Sequence, residues 1–277
     1  MLKTTSPSSS KAIKTTKLST DSIELIPTSL VNWYLSNRRM LPWRGGGIEN
    51  SSYKTPTKSA YGTWVSEIML QQTKVETVIP YWFKWMERFP TVDILAQATE
   101  EDVNQYWAGL GYYRRARFLL QGAKTVVNDY NSIIPNTSNE LIKIPGIGRY
   151  TAGAISSIAF DQPSSLVDGN VIRVFSRLFA IDTPMGNILE NECWNIADSL
   201  MHKADPSSFN QGLMELGATV CTPRNPKCNE CPLSSVCTAY SNEQAIIKRK
   251  QNIELKSNTN NDKDREEMEL EIGDIES

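Results

Sequence analysis

The sequence predicts an all-α protein. Three observations carry this: apolar residues recur at helical spacing, alternating strand-like patterns are nearly absent, and capping residues stand where periodic segments begin. Trp64, Val65, Ile68 and Met69 fall on one arc of a helix. Phe118, Leu119, Ala123, Val126 and Val127 do the same. Ala152 to Phe160 is small and apolar, a helix suited to close packing. Val171, Val174, Phe175 and Leu178 mark another, and Asp205-Pro206 is a cap with a first-turn proline that opens a helix toward Cys221.

Composition removes several function classes. With 40% hydrophobic and 22% charged residues, wholesale disorder and a fibrous fold are out. No apolar run approaches the roughly 20 residues that span a bilayer, so no membrane role is expected. The single His argues against His-rich metal sites and His-based triads. The net charge of −2 is uneven: residues 241–277 hold 10 acids and 6 bases, which leaves the other 240 residues at +2. That balance neither requires nor forbids nucleic acid. Residues 1–22, rich in Ser, Thr and Lys, read as a disordered tail with a weak likeness to a mitochondrial transit peptide. Residues 241–277 read as a disordered acidic tail or a frayed helix, in which Lys248-Arg249-Lys250 is a weak nuclear-import candidate and reads better as a solvated charge run. Residues 45–59 read as an exposed inserted loop.

The strongest chemical signal is Cys221, Cys228, Cys231 and Cys237, a C-x6-C-x2-C-x5-C run. Four thiolates so near in sequence can enclose one metal centre. A disulfide framework is disfavoured in a long chain with no secretory signal. Zinc prefers paired C-x2-C knuckles and only one pair is present, whereas a cubane iron–sulfur cluster accepts varied spacing. Cys193 stands apart and reads as a buried apolar residue. Next comes Ile144-Pro145-Gly146-Ile147-Gly148-Arg149-Tyr150-Thr151-Ala152-Gly153, preceded by an apolar helix. The Gly146 and Gly148 amides at a helix start make a nest that binds a DNA phosphate without reading sequence. A plain helix–helix turn is the alternative; its flanks favour a helix-hairpin-helix at about residues 138–160.

Two carboxylates stand out. Asp168, in Val167-Asp168-Gly169-Asn170, reads in isolation as a helix N-cap. Glu67 sits at the edge of the apolar arc, and in isolation reads as a boundary residue with its head in water. The tandem Gln71-Gln72 after it is unusual there.

Hairpin, Asp168 and four-Cys loop together resemble the helix-hairpin-helix DNA glycosylase superfamily with the endonuclease III fold. Leu41-Pro42-Trp43-Arg44, Ser66-Glu67-Ile68-Met69-Leu70-Gln71-Gln72-Thr73, Gly109-Leu110-Gly111-Tyr112-Tyr113, Val167-Asp168-Gly169-Asn170 and Phe209-Asn210-Gln211 resemble its MutY-type adenine DNA glycosylase branch, over about residues 31–240. The resemblance implies two helical lobes with a DNA cleft between them. Residues 23–59 and 167–240 would form the iron–sulfur lobe and residues 60–166 the helical barrel.

It also implies a [4Fe–4S] cluster, double-stranded DNA as partner, a monomer, and repair in the nucleus or the mitochondrion. The implied reaction is hydrolysis of adenine opposite 8-oxoguanine or guanine after base flipping. Glu67 would protonate the base, its apolar surroundings raising its pKa, and Asp168 would stay ionised beneath the sugar. Tyr150 and Asn170 would position them. Trp43, Arg44, Leu70 and Gln211 match positions around the adenine. Gln72, Thr73, Leu110 and Tyr112 match those that probe the opposite base and wedge the gap. Arg224 and Lys227 would meet phosphate.

Two features bear on the branch. The endonuclease III type carries a Lys where this chain has Tyr150, and Tyr cannot form the Schiff base that strand cleavage needs. Typical members continue with a NUDIX-like domain that helps detect oxidised guanine, and the 40 residues after Cys237 are too few and too polar to build one. The rival readings are a bifunctional endonuclease III-type lyase and a non-enzymatic DNA-binding iron–sulfur protein. Tyr150 and Gln71-Gln72 count against the first, Glu67 with Asp168 against the second.

Overall fold

A computed structural model describes residues 20–44 and 59–253, and among them there are helices and turns but no strand. The helices are α1 (Thr20–Asn37), α2 (Ala60–Leu70), α3 (Val75–Arg88), α4 (Val92–Ala96), α5 (Glu100–Trp107), α6 (Arg114–Asp129), α7 (Ser138–Leu141), α8 (Arg149–Phe160), α9 (Gly169–Leu178), α10 (Asn187–Leu200) and α11 (Pro206–Thr219), followed by α12 over residues 238–253. Caps fix several starts. The Ser59 side chain accepts from Gly62 N at 2.9 Å, Thr99 and Asp102 form a capping box, and Asp205 accepts from Ser208 N at 2.9 Å ahead of Pro206.

Two apolar cores organise these helices. One gathers Trp64, Trp82, Trp85, Phe89 and Trp107 from α2, α3 and α5 with the inner faces of α4 and α6. Its polar ring atoms are largely matched: Trp85 Nε1 donates to Tyr61 Oη at 3.1 Å, and Tyr61 Oη donates to Phe89 O at 2.8 Å. Truncating one such Trp costs roughly 3–5 kcal/mol. The other core joins Ile26 and Leu30 of α1 to Phe175, Trp194, Phe209 and Leu213 of α9, α10 and α11. Helix α8 is buried on both sides, with Ala152 and Ile155 in the first core and Ala154 and Ile158 in the second.

Several sequence expectations need correction. Leu41 and Trp43 pack into the barrel core, and Leu166 into the other, so the lobes do not divide at residues 59 and 166. The first helix of the hairpin is the single turn α7. Helix α1 begins at Thr20, inside the expected tail. Residues 241–253, read as disordered or a frayed helix, are helical: Tyr240 Oη donates to Asn229 Oδ1 at 2.6 Å and Ser241 N to Cys237 O at 3.0 Å, which pins the start of α12 to the cysteine loop. Residues 1–19, 45–58 and 254–277, on which the remaining tail and loop expectations fall, lie outside the described residues.

Two close approaches position the site. A Cβ on Gly153 would meet Ser165 O at 2.0 Å, so only glycine lets the segment before Asp168 lie against α8. A Cβ on Gly217 would meet Asn170 Cβ at 2.6 Å, which sets α11 against the start of α9.

Candidate active site

Helix α2 is buried from Tyr61 to Met69, and Glu67 is its one acid, 6% exposed. Burial pushes the Glu67 carboxyl up to about 7, against the opposing hydrogen bond from Tyr150 and the charge of Arg44, while Asp168 adds to the rise. Tyr150, in the first turn of α8, donates from Oη to Glu67 Oε2 at 2.7 Å and lies 3.2 Å from Met214 Sδ. Burial, then the nearby Glu67 and Asp168, hold the phenol well above its ordinary pKa, so it stays a donor.

Asp168 is the N-cap of α9. Oδ1 accepts from Val171 N at 2.8 Å and Oδ2 accepts from Asn170 Nδ2 at 2.9 Å. Asn170 Oδ1 in turn accepts from Arg173 Nη2 at 2.8 Å. Arg173 reaches on to Gly217 O at 2.6 Å and Cys221 O at 2.8 Å, so α9 links the carboxylate to the cysteine loop.

Glu67, Tyr150, Asp168 and Asn170 line one cavity of about 530 Å³. Trp43, Arg44, Leu70, Gln72, Thr73 and Gln211 line it too. Leu110 and Tyr112 do not. Leu110 is turned into the barrel core at 6% exposure, whereas Tyr112 is 64% exposed. Gly146 and Gly148 are exposed at the start of α8, away from the cavity. Gly146 has φ +83°, and a Cβ there would meet Phe118 Cβ at 2.6 Å.

Sequence reasoning missed three residues here. Glu215 of α11, 1% exposed, accepts from Arg39 Nε at 2.7 Å, Arg39 Nη2 at 3.0 Å and Arg44 Nη2 at 3.0 Å. Burial works to raise the Glu215 pKa, but the Arg39 hydrogen bond and the charges of Arg44 and Arg39 together hold it below the ordinary range. This clamp carries Trp43 and Arg44 into the cavity. The available signal was an acid on an otherwise apolar helix, which demands a cation. Glu215→Gln is expected to lower unfolding free energy by about 3 kcal/mol, because two arginines lose their buried counter-charge; urea denaturation measures it. The third is Arg115, read in sequence only as part of a basic run. Its guanidinium donates to Ile68 O at 3.1 Å and Met69 O at 3.0 Å.

The four cysteines fit the expected cofactor. Cys221, Cys228, Cys231 and Cys237 line one cavity of about 550 Å³ with Arg177, Ile246 and Ile247. Among the described residues no three His, Cys, Asp or Glu side chains converge on a single-ion site. Arg177 Nη1 lies 3.4 Å from Cys221 Sγ, and the backbone amides of Ala239 and Tyr240 are bonded to Cys237. Burial raises the Cys231 thiol to about 11, so that sulfur needs a cationic partner to ionise. Cys193 is wholly buried in the second core. Arg224 and Lys227 stand exposed on the loop.

Comparisons with known proteins agree with this geometry. Residues 65–198 match the family model of the HhH-GPD superfamily base excision DNA repair proteins, and residues 221–237 match the iron–sulfur binding domain of endonuclease III. The chain is 48% identical over 219 residues to an adenine DNA glycosylase of Mus musculus, covering 78% of this chain and 42% of the relative. It is 43% identical over 234 residues to one of Schizosaccharomyces pombe, covering 81% and 51%. The chain thus spans about half the length of these relatives or less. Among solved structures, a thermostable thymine-DNA glycosylase superposes with TM-score 0.70 at 26% identity, covering 80% of this chain and 98% of that one. A trapped endonuclease III–DNA covalent intermediate superposes at 0.65 and 21% identity, covering 82% and 100%.

Proposed function

We propose that this chain, whose residues 65–198 and 221–237 match the HhH-GPD and endonuclease III iron–sulfur family models, is a monofunctional adenine DNA glycosylase. It hydrolyses the N-glycosidic bond of adenine opposite 8-oxoguanine or guanine in double-stranded DNA. The observation that carries this reading is the 2.7 Å bond from Tyr150 Oη to Glu67, in a cavity that also holds Asp168. Among the described residues no lysine lines that cavity, and Tyr150, which does, cannot form a Schiff base with the sugar.

The adenosine is flipped out of the stack into the cavity. Glu67, half-protonated near neutrality, gives its proton to N7 of adenine. The bond from C1′ to N9 breaks, its electron pair leaves with the base, and the sugar acquires oxocarbenium character. The Asp168 carboxylate stabilises that cation, held in place by Asn170 and the Val171 amide. Water adds to C1′ and its proton passes to the Glu67 carboxylate, which resets the acid. Gln72 and Tyr112 face the opposite base, Tyr112 filling the gap left by the adenine. The Gly146 and Gly148 amides, with Arg224 and Lys227, hold phosphates. The four cysteines would hold a [4Fe–4S] cluster, which supplies a rigid frame for the loop between Cys221 and Cys237. The site of action is the nucleus, with the mitochondrion as the second compartment.

The experiment is a single-turnover assay on duplexes pairing A with 8-oxoguanine, G or C, with and without alkali. The expected result is base release whose strand breaks appear only after alkali. Nicking without alkali, with a borohydride-trapped adduct, favours the bifunctional reading.

A further inference from the structure

Arg115 makes contacts out of proportion to a residue in a basic run. Besides the carbonyls of Ile68 and Met69, Nη1 donates to Gln71 O. On the other side, Nη2 donates to Thr73 Oγ1 at 3.2 Å, Leu110 O at 3.3 Å and Gly111 O at 3.2 Å. The same guanidinium lies over the rings of Trp107 and Tyr112, at 5.3 and 5.4 Å from their centroids. One side chain therefore bridges the end of α2 and the turn before α6.

Each of these segments presents one non-glycine residue in the left-handed region, Gln72 at φ +55° and Tyr112 at φ +48°. Neither is glycine, so each conformation carries strain that its surroundings must hold. Both side chains are exposed. The carbonyls that Arg115 takes, those of Gln71 and Gly111, belong to the residues directly before them.

We propose that Arg115 is the positioning residue that sets Gln72 and Tyr112 as a pair against the base opposite the adenine. The inference rests on the glycosylase reading above and deepens it: discrimination between opposite bases depends on a guanidinium that touches no DNA. A planar fork is required, because the two amino groups of one guanidinium, held in fixed directions, meet acceptors on two segments. Lysine keeps the charge and loses the geometry.

The test compares Arg115→Lys with the unsubstituted full chain in single-turnover excision of A opposite 8-oxoguanine and A opposite C. The preference for 8-oxoguanine is expected to fall about tenfold or more, since a misplacement near 1 Å costs up to about a hundredfold in rate. Arg115→Gln keeps a planar amide donor on a shorter side chain that cannot reach both segments, and is expected to lower the same ratio. If Arg115→Lys does not fold, Arg115→Gln carries the test. A uniform loss on both duplexes with the ratio unchanged marks Arg115 as merely structural and overturns the proposal, with the glycosylase reading intact. An unsubstituted chain that releases no adenine from either duplex overturns both.

Discussion

Glu67→Gln abolishes base release while DNA affinity persists. General acid catalysis supplies about a hundred- to ten-thousandfold, and the amide has no proton to give, so a loss of about a thousandfold or more is expected in single-turnover excision. Electrophoretic mobility on the same duplex should not change. Excision at normal speed by this variant would remove Glu67 as the acid. In the unsubstituted protein the competent form is protonated, so the rate falls as pH rises through about 7. Stability moves the same way. A carboxyl raised from 4.5 unfolded to about 7 folded binds more protons in the native state, so its contribution is whole at low pH and is lost as pH climbs through 7. At pH 8 Glu67→Gln is therefore expected to raise unfolding free energy, by on the order of 3 kcal/mol at most. A variant that is sturdier and inactive would mark Glu67 as a residue kept for chemistry at the expense of the fold.

Asp168→Asn should be nearly as damaging, for a different reason. The amide can still cap α9, since its oxygen accepts from Val171 N. Its NH2 then faces Asn170 Nδ2, donor against donor. Rotating Asn170 would turn its own NH2 onto Arg173, whose guanidinium is fixed by the Gly217 and Cys221 carbonyls. No single flip relieves the clash. The sugar cation also loses its counter-charge. Excision is expected to fall by about a thousandfold, with a stability loss of about 1–2 kcal/mol in urea denaturation. Activity within tenfold of the unsubstituted chain would mean that the carboxylate is a cap and nothing more.

Much of this site was legible because its signals are local. Periodicity marks α2 and α9, a short spacing pattern marks the cysteine loop, and Glu67 and Asp168 stand in compact motifs. What escaped is long-range or carried by backbone. Arg39 and Arg44 meet Glu215 across more than 170 residues of sequence, and no local pattern announces that pairing. Most Arg115 partners are carbonyl oxygens, which every residue possesses and no side-chain pattern reveals. The inward turn of Leu110 follows from packing in the barrel. Helix α12 was legible only as a frayed end, because its residues are almost all polar or exposed and lack the apolar stripe that marks a buried helix. Its order comes from Tyr240, and from Ile246 and Ile247 along the cysteine cavity.

Helix α8, immersed in both cores, also decides how the molecule deforms. A joint of that kind is a weld. Neither half can swing without tearing apolar contacts on the opposite flank, so the gape between the carboxylates is fixed before any duplex arrives. The nucleoside must do the travelling, and calorimetry should record one endotherm in place of two.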